Sequence, residues 1–98
     1  MKLEECRKVI DAVDVEIVAL LKRRASVSRR IGEIKLSAGL PIVDQPREDA
    51  VMRRLVRENA GEISDRALVE IYREILKESR RIQTAIVGEA LASGEVSK

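Results

Sequence analysis

Residues 3–36, LEECRKVIDAVDVEIVALLKRRASVSRRIGEIKL, decide the fold. Leu3, Cys6, Ile10, Val13, Ile17, Leu20, position 24, Val27, Ile31 and Ile34 follow one another at spacings of three and four. That is a helical heptad seam sustained over roughly four and a half heptads. No glycine interrupts it before Gly32 and no proline before Pro41. A helix over about 3–36 would be roughly 50 Å long. A compact monomer of this size needs no such rod, and a rod with a continuous apolar seam wants a partner along its face.

Outward from that stretch, Ser37 to Val43 holds Gly39 and Pro41 and reads as a connection. Asp44 is an N-cap type, and Pro46 is tolerated in a first turn. A second helix is predicted over about 45–59, with Val51, Met52, Leu55 and Val56 on one face and Gly61 ending it. Ser64 caps a third helix over about 65–91, with Ile63 and Leu68 spaced as a hydrophobic staple. Leu68, Ile71, Tyr72, Ile75, Leu76, Ile82 and Ile86 form its apolar stripe. From Ala92 the chain turns small and polar and is expected to fray. The expected class is all-α: three helices, a long first one, and an intertwined two-fold dimer.

Composition agrees. The 98 residues are 45% hydrophobic, 37% charged and 1% aromatic, with net charge +2. That suits one domain, residues 1–98, with an aliphatic core and long solvated helices. With Tyr72 the lone aromatic, base stacking is disfavoured, and no nucleic-acid partner is expected. There is no histidine, and Cys6 is the single cysteine, so neither a Cys/His metal site nor an internal disulfide is expected. No apolar run reaches membrane-spanning length and the N-terminus has no signal-peptide pattern, so a cytoplasmic protein without a membrane partner is expected.

Against this background the polar residues on the apolar stripes stand out. Arg24 occupies a seam position, and Lys35, eleven residues on, lies almost three turns away on the same side. Ser79 and Gln83 are four apart on the third stripe, and Asp44-Gln45-Pro46-Arg47-Glu48 opens the second helix. Each has an ordinary reading alone. Arg24 snorkels or fixes register, Ser79 and Gln83 are buried and satisfied by water, Asp44 is a cap, and Arg47 and Glu48 form a first-turn pair. Together they place cations and an amide around one small space. Unpaired buried cations are costly, which implies a small anionic ligand. Arg7 is roughly 25 Å from Arg24 along the same helix. If both bind one ligand, Arg7 comes from a second, antiparallel subunit.

These residues resemble the all-helical class of chorismate mutase over nearly the whole chain. The likeness lies in Arg7 and Asp14, Leu20-Leu21-Lys22-Arg23-Arg24, Gly32-Glu33-Ile34-Lys35, Pro41-Ile42-Val43-Asp44, Pro46-Arg47-Glu48 and Glu78-Ser79-Arg80-Arg81-Ile82-Gln83, in that order. The resemblance implies a homodimer that rearranges chorismate to prephenate without a cofactor. It implies that Arg24, and Arg7 of the second subunit, pair with the substrate carboxylates. Lys35 would contact a carboxylate and the ether oxygen of the breaking bond, and Gln83 would donate to that same oxygen. Glu48 would accept from the ring hydroxyl with the Asp44 main chain nearby, Arg47 would help hold a carboxylate, and Ser79 would line the carboxylate pocket. Arg80 and Arg81 are more basic than the pattern requires and read as surface residues. The length leaves no room for the dehydratase or dehydrogenase fused to some relatives, so a free-standing enzyme is expected. Two alternatives stand beside it: an isochorismate-pyruvate lyase on the same scaffold and a non-enzymatic helical interaction module.

Overall fold

The computed structural model describes residues 1–94, and positions 95–98 lie outside the described residues. Three helices follow one another: α1 (Leu3–Ala38), α2 (Gln45–Glu58) and α3 (Asp65–Ser93). The all-helical expectation holds, with no strand among the described residues. Helix ends are set by local chemistry. Gly39 stops α1 two residues beyond the expected end, at φ 68, where a residue without a Cβ is favoured. Asp44 accepts from the Arg47 amide at 3.1 Å, and Ser64 accepts from the Ala67 amide at 3.1 Å. α3 continues through Ser93, past the expected fraying point at Ala92, and Gly94 closes it at φ 75.

One expected terminator is corrected. Gly61 has no positive φ and does not cap α2. Asn59 ends that helix in an extended conformation. Its side-chain amide donates to the Ile63 carbonyl at 2.9 Å and to Asp65 at 2.8 Å, tying the α2–α3 turn to the start of α3. An asparagine amide supplies both bonds where a glycine supplies none.

α3 packs against both α1 and α2, which do not pack on each other. The closest approach is at Gly32. A Cβ built there would meet Ile86 Cδ1 at 3.0 Å and the Gln83 Cα at 3.1 Å. Buried Ser28, one turn earlier, continues the narrow strip. These two small residues let α3 lie close against the C-terminal half of α1, and that approach sets the depth of the site below.

Among the described residues, the N-terminal half of α1 is exposed along its length. Ile10, Val13, Ile17 and Leu20 on the seam are 59%, 41%, 48% and 62% exposed. Ile71, expected in the core, is 53% exposed. The buried apolar residues are Val51, Leu76, Ile86 and Ala90. The chain measures 62 × 26 × 15 Å, with a radius of gyration of 17.5 Å. A compact chain of this length would have about 13 Å. The chain is thus more extended than a compact one, and its apolar seam lies along the outside.

Candidate active site

Between the C-terminal half of α1, the start of α2 and the middle of α3 lies a cavity of about 360 Å³. α1 supplies Arg24, Ser28 and Lys35, spaced so that the 3.6-residue repeat brings them to one side. The connection supplies Ile42 and Asp44, α2 supplies Arg47 and Glu48, and α3 supplies Ser79, Arg80 and Gln83. Ile31, Val51 and Leu76 contribute apolar wall. Seven of the eight residues singled out from sequence therefore meet at one space. Arg7 does not: it lies near the far end of α1, exposed and paired with Glu4 at 3.5 Å.

Lys35 ties the site together. Its ammonium donates to the Ile42 carbonyl at 2.7 Å and to Gln83 Oε1 at 3.0 Å. Two of its three protons are thereby held, and one remains for a ligand. The same bond orients the Gln83 amide. With Oε1 turned to Lys35, the Nε2 group is left as the donor, and no residue among the described ones takes it up. Gln83 is only 7% exposed, so its orientation is fixed by packing as well.

A second cluster surrounds Ser79. The Arg24 guanidinium donates to Ser79 Oγ, and Ser28 Oγ donates to it at 3.1 Å. A hydroxyl oxygen that accepts twice keeps its own hydrogen free to donate. Arg24 also lies over the Tyr72 ring, 5.9 Å from its centroid, a cation–π contact that steadies the guanidinium. The third cluster is an ion pair. Arg80 Nε donates to Glu48 Oε2 at 2.7 Å and Nη2 to Glu48 Oε1 at 2.6 Å. This overturns the surface reading of Arg80, which reaches back across the α2–α3 interface. Hydrogen bonding to Glu48 raises the Arg80 pKa above its ordinary value, with desolvation opposing and charge attraction adding. Arg81 does stay at the surface, paired with Glu78 one turn away.

Ser28, Arg80, Tyr72 and the Ile42 carbonyl were not singled out from sequence. Ser28 had a signal, since it stands between Arg24 and Lys35 on the same side of α1. The Ile42 carbonyl had none, because a backbone acceptor carries no side-chain signature.

The lining carries Arg24, Lys35, Arg47 and Arg80 against Asp44 and Glu48, a surplus of two positive charges. Such a cavity is complementary to a small dianion, with fixed hydrogen-bond donors on its walls. Residues 6–84 match the family chorismate mutase type II. The chain belongs to that family. Among relatives, it is 41% identical over 95 residues to a bifunctional chorismate mutase/prephenate dehydratase from Aquifex aeolicus, covering 89% of this chain and 26% of that protein. It thus spans about a quarter of that relative's length. It is 31% identical over 85 residues to a chorismate mutase from Methanocaldococcus jannaschii, covering 84% of each. Among solved structures, form II of the chorismate mutase from Thermus thermophilus superposes with a TM-score of 0.83 at 31% identity, covering 86% of this chain and 96% of that one. The Helicobacter pylori chorismate mutase in complex with prephenate gives 0.80 at 32% identity, covering 89% and 94%. In this chorismate mutase type II chain, the matched residues include every cavity-lining position from Arg24 to Gln83.

Proposed function

We propose that the chain catalyses the rearrangement of chorismate to prephenate, and that it does so as a two-fold dimer. The observation that carries this reading is the Lys35–Gln83 pair, a cation and a buried amide bonded to each other at the wall of a cavity with two surplus positive charges. Prephenate, the ligand of the Helicobacter pylori relative, is a dianion of the kind this cavity suits.

The reaction is unimolecular, so the protein's task is conformation and charge. Arg24, with Arg7 of a second copy and with Arg47, holds the two carboxylates so that the enolpyruvyl side chain lies over the ring. Fixing that reactive form removes an entropic cost from the barrier. Ser79 donates its free hydrogen to a carboxylate. Glu48 and the Asp44 main chain receive the ring hydroxyl. As the C–O bond breaks, negative charge grows on the ether oxygen. Lys35 and Gln83 donate to that oxygen from positions already fixed before reaction, so they stabilise the transition state more than the ground state. No step uses a cofactor.

The dimer reading is supported by the uncovered seam of α1 and by the place of Arg7. An antiparallel second copy covers Ile10, Val13, Ile17 and Leu20 and carries its own Arg7 toward the Arg24 end of the first. A location in the cytoplasm completes the reading. It accords with the finding that, among the described residues, no helix is long and apolar enough to cross a membrane.

The test is to incubate the purified protein with chorismate alone and follow prephenate by proton NMR, with isochorismate in parallel. Prephenate from chorismate supports the reading. Pyruvate from isochorismate, with no prephenate, would make the protein a lyase on the same scaffold.

A further inference from the structure

Arg80 has no part in the scheme above, although it forms a bidentate pair with Glu48, which does. Arg80 follows Ser79 directly on α3, yet it points to the first turn of α2 rather than into solvent. Its Nη2 also lies 3.4 Å from Gln45 Oε1, on the same turn. The Glu48 side chain is 18% exposed. Both Glu48 oxygens take one hydrogen bond each from the guanidinium, which leaves further acceptor capacity on each oxygen. A planar fork fixes the plane and the position of a carboxylate together, which a lysine ammonium does not. Arg80 Nε and Nη2 are committed to α2, so Arg80 differs from Arg47, whose side chain has no such partner among the described residues.

The pair is also a wall. Glu48, Leu76 and Arg80 line the cavity of about 360 Å³ and also an outer groove of about 520 Å³ between α2 and α3. The pair thus stands between the two spaces, with the Glu48 carboxylate fixed by Arg80 while it lines the inner cavity.

We propose that Arg80 is a positioning residue: it holds the Glu48 carboxylate in one orientation, so that it accepts a hydrogen bond from the ligand in the cavity. This rests on the mutase reading, in which that hydrogen bond comes from the substrate's ring hydroxyl. Without the clamp, Glu48 can rotate toward the outer groove, and substrate binding loses an acceptor. The hydroxyl is bound in the ground state and in the transition state alike, so the loss falls mainly on KM.

The test is a double-mutant cycle on chorismate turnover with Arg80→Met, Glu48→Gln and the double variant. Arg80→Met is expected to lower kcat/KM roughly tenfold, mostly through KM, and to change it less than about twofold once Glu48→Gln is present. Arg80→Lys keeps the charge and the stem but loses the fork. It is expected to fall between wild type and Arg80→Met, and it carries the same cycle if Arg80→Met fails to fold. Equal factors in both backgrounds, or unchanged kinetics in Arg80→Met, overturn the proposal while wild-type turnover leaves the mutase reading standing. A folded wild-type protein that does not convert chorismate overturns that reading, and the proposal with it.

Discussion

The Lys35 ammonium lies 3.0 Å from the Gln83 carbonyl oxygen, and this bond joins α1 to α3 at the floor of the cavity while it decides which end of the amide is left to donate. Because Lys35 also holds the Ile42 carbonyl at 2.7 Å, one side chain sets the position of the connection, the orientation of the amide and the charge of the site. The variants that test the mutase reading follow from this arrangement.

Lys35→Ala and Arg24→Ala are each expected to cost on the order of a hundredfold or more in kcat/KM, the usual scale for removing a preorganised donor from a developing charge. Both sites are only half-buried, so far-UV circular dichroism should remain that of the helical wild type. Near-normal turnover by both variants would remove the assignment.

Gln83→Glu converts a permanent donor into one that donates only when protonated. An ionised carboxylate at this position would pair with Lys35 and repel the ether oxygen. Activity of the variant should therefore rise as pH falls toward the pKa of the new carboxyl, over a range in which the wild type changes little. Parallel pH profiles for kcat/KM in the two proteins would contradict the role given to Gln83.

Gly32→Ala tests the close crossing. The added methyl meets the Gln83 Cα at 3.1 Å and its Cγ at 3.2 Å, and a backbone atom cannot swing aside. Overpacking costs about 1–3 kcal/mol, which at mid-range exceeds the roughly 1 kcal/mol that alanine gains over glycine within a helix. The expected result is a lower Tm and a lower kcat/KM, because the displaced residue is Gln83 itself. A raised Tm with full activity would show that α3 can move freely at this point.

Mixing chains tests whether Arg7 acts across subunits. Arg7→Ala and Arg24→Ala dimers each lack two competent sites. A mixed dimer has one intact site, built from Arg7 of one chain and Arg24 of the other. Denaturing and refolding the two inactive variants together should restore up to about a quarter of wild-type activity, half of the dimers being mixed and each having one of two sites. No recovery, with exchange of chains verified by mass, would place Arg7 outside the site.

Arg29 and Glu89 bridge α1 and α3 beyond the cavity, at 2.9 Å. Hydrogen bonding to Arg29, then its charge, holds the Glu89 carboxyl below its ordinary value of 4.5. A depressed carboxyl pKa contributes stability above the unfolded value that is lost as pH falls through the folded one. The Tm difference between wild type and Glu89→Gln should therefore be small near neutrality and close on acidification. It should also shrink in high salt, because both groups are exposed. A difference that persists at acid pH would assign the effect to packing instead.

Much of this is legible in the sequence. The three-and-four spacing from Leu3 to Ile34 defines a long helix with a seam, since helical periodicity is local. Asp44 and Ser64 declare their helix starts because a cap needs only its own side chain and an amide three residues on. Arg24, Lys35, Ser79 and Gln83 stand out because they are polar on apolar stripes. Where the reading missed, the information was not local. Gly61 has the composition of a terminator, but Asn59 makes the bonds that end α2. Arg80 has the composition of a surface residue, but its partner is thirty-two positions earlier.

By itself, then, the sequence determined which segments are helical, where two of them start, and which polar side chains share an apolar face. Those properties follow from turns of chain a few residues long. Only the tertiary structure decided that Lys35 orients Gln83, that Ser79 accepts from both Arg24 and Ser28, and that Arg80 clamps Glu48. Each of these contacts depends on the depth and register at which α3 settles against its neighbours. At the α1 crossing that depth is set where Gly32 meets the Gln83 backbone, because two helices approach only as closely as the atoms between them allow.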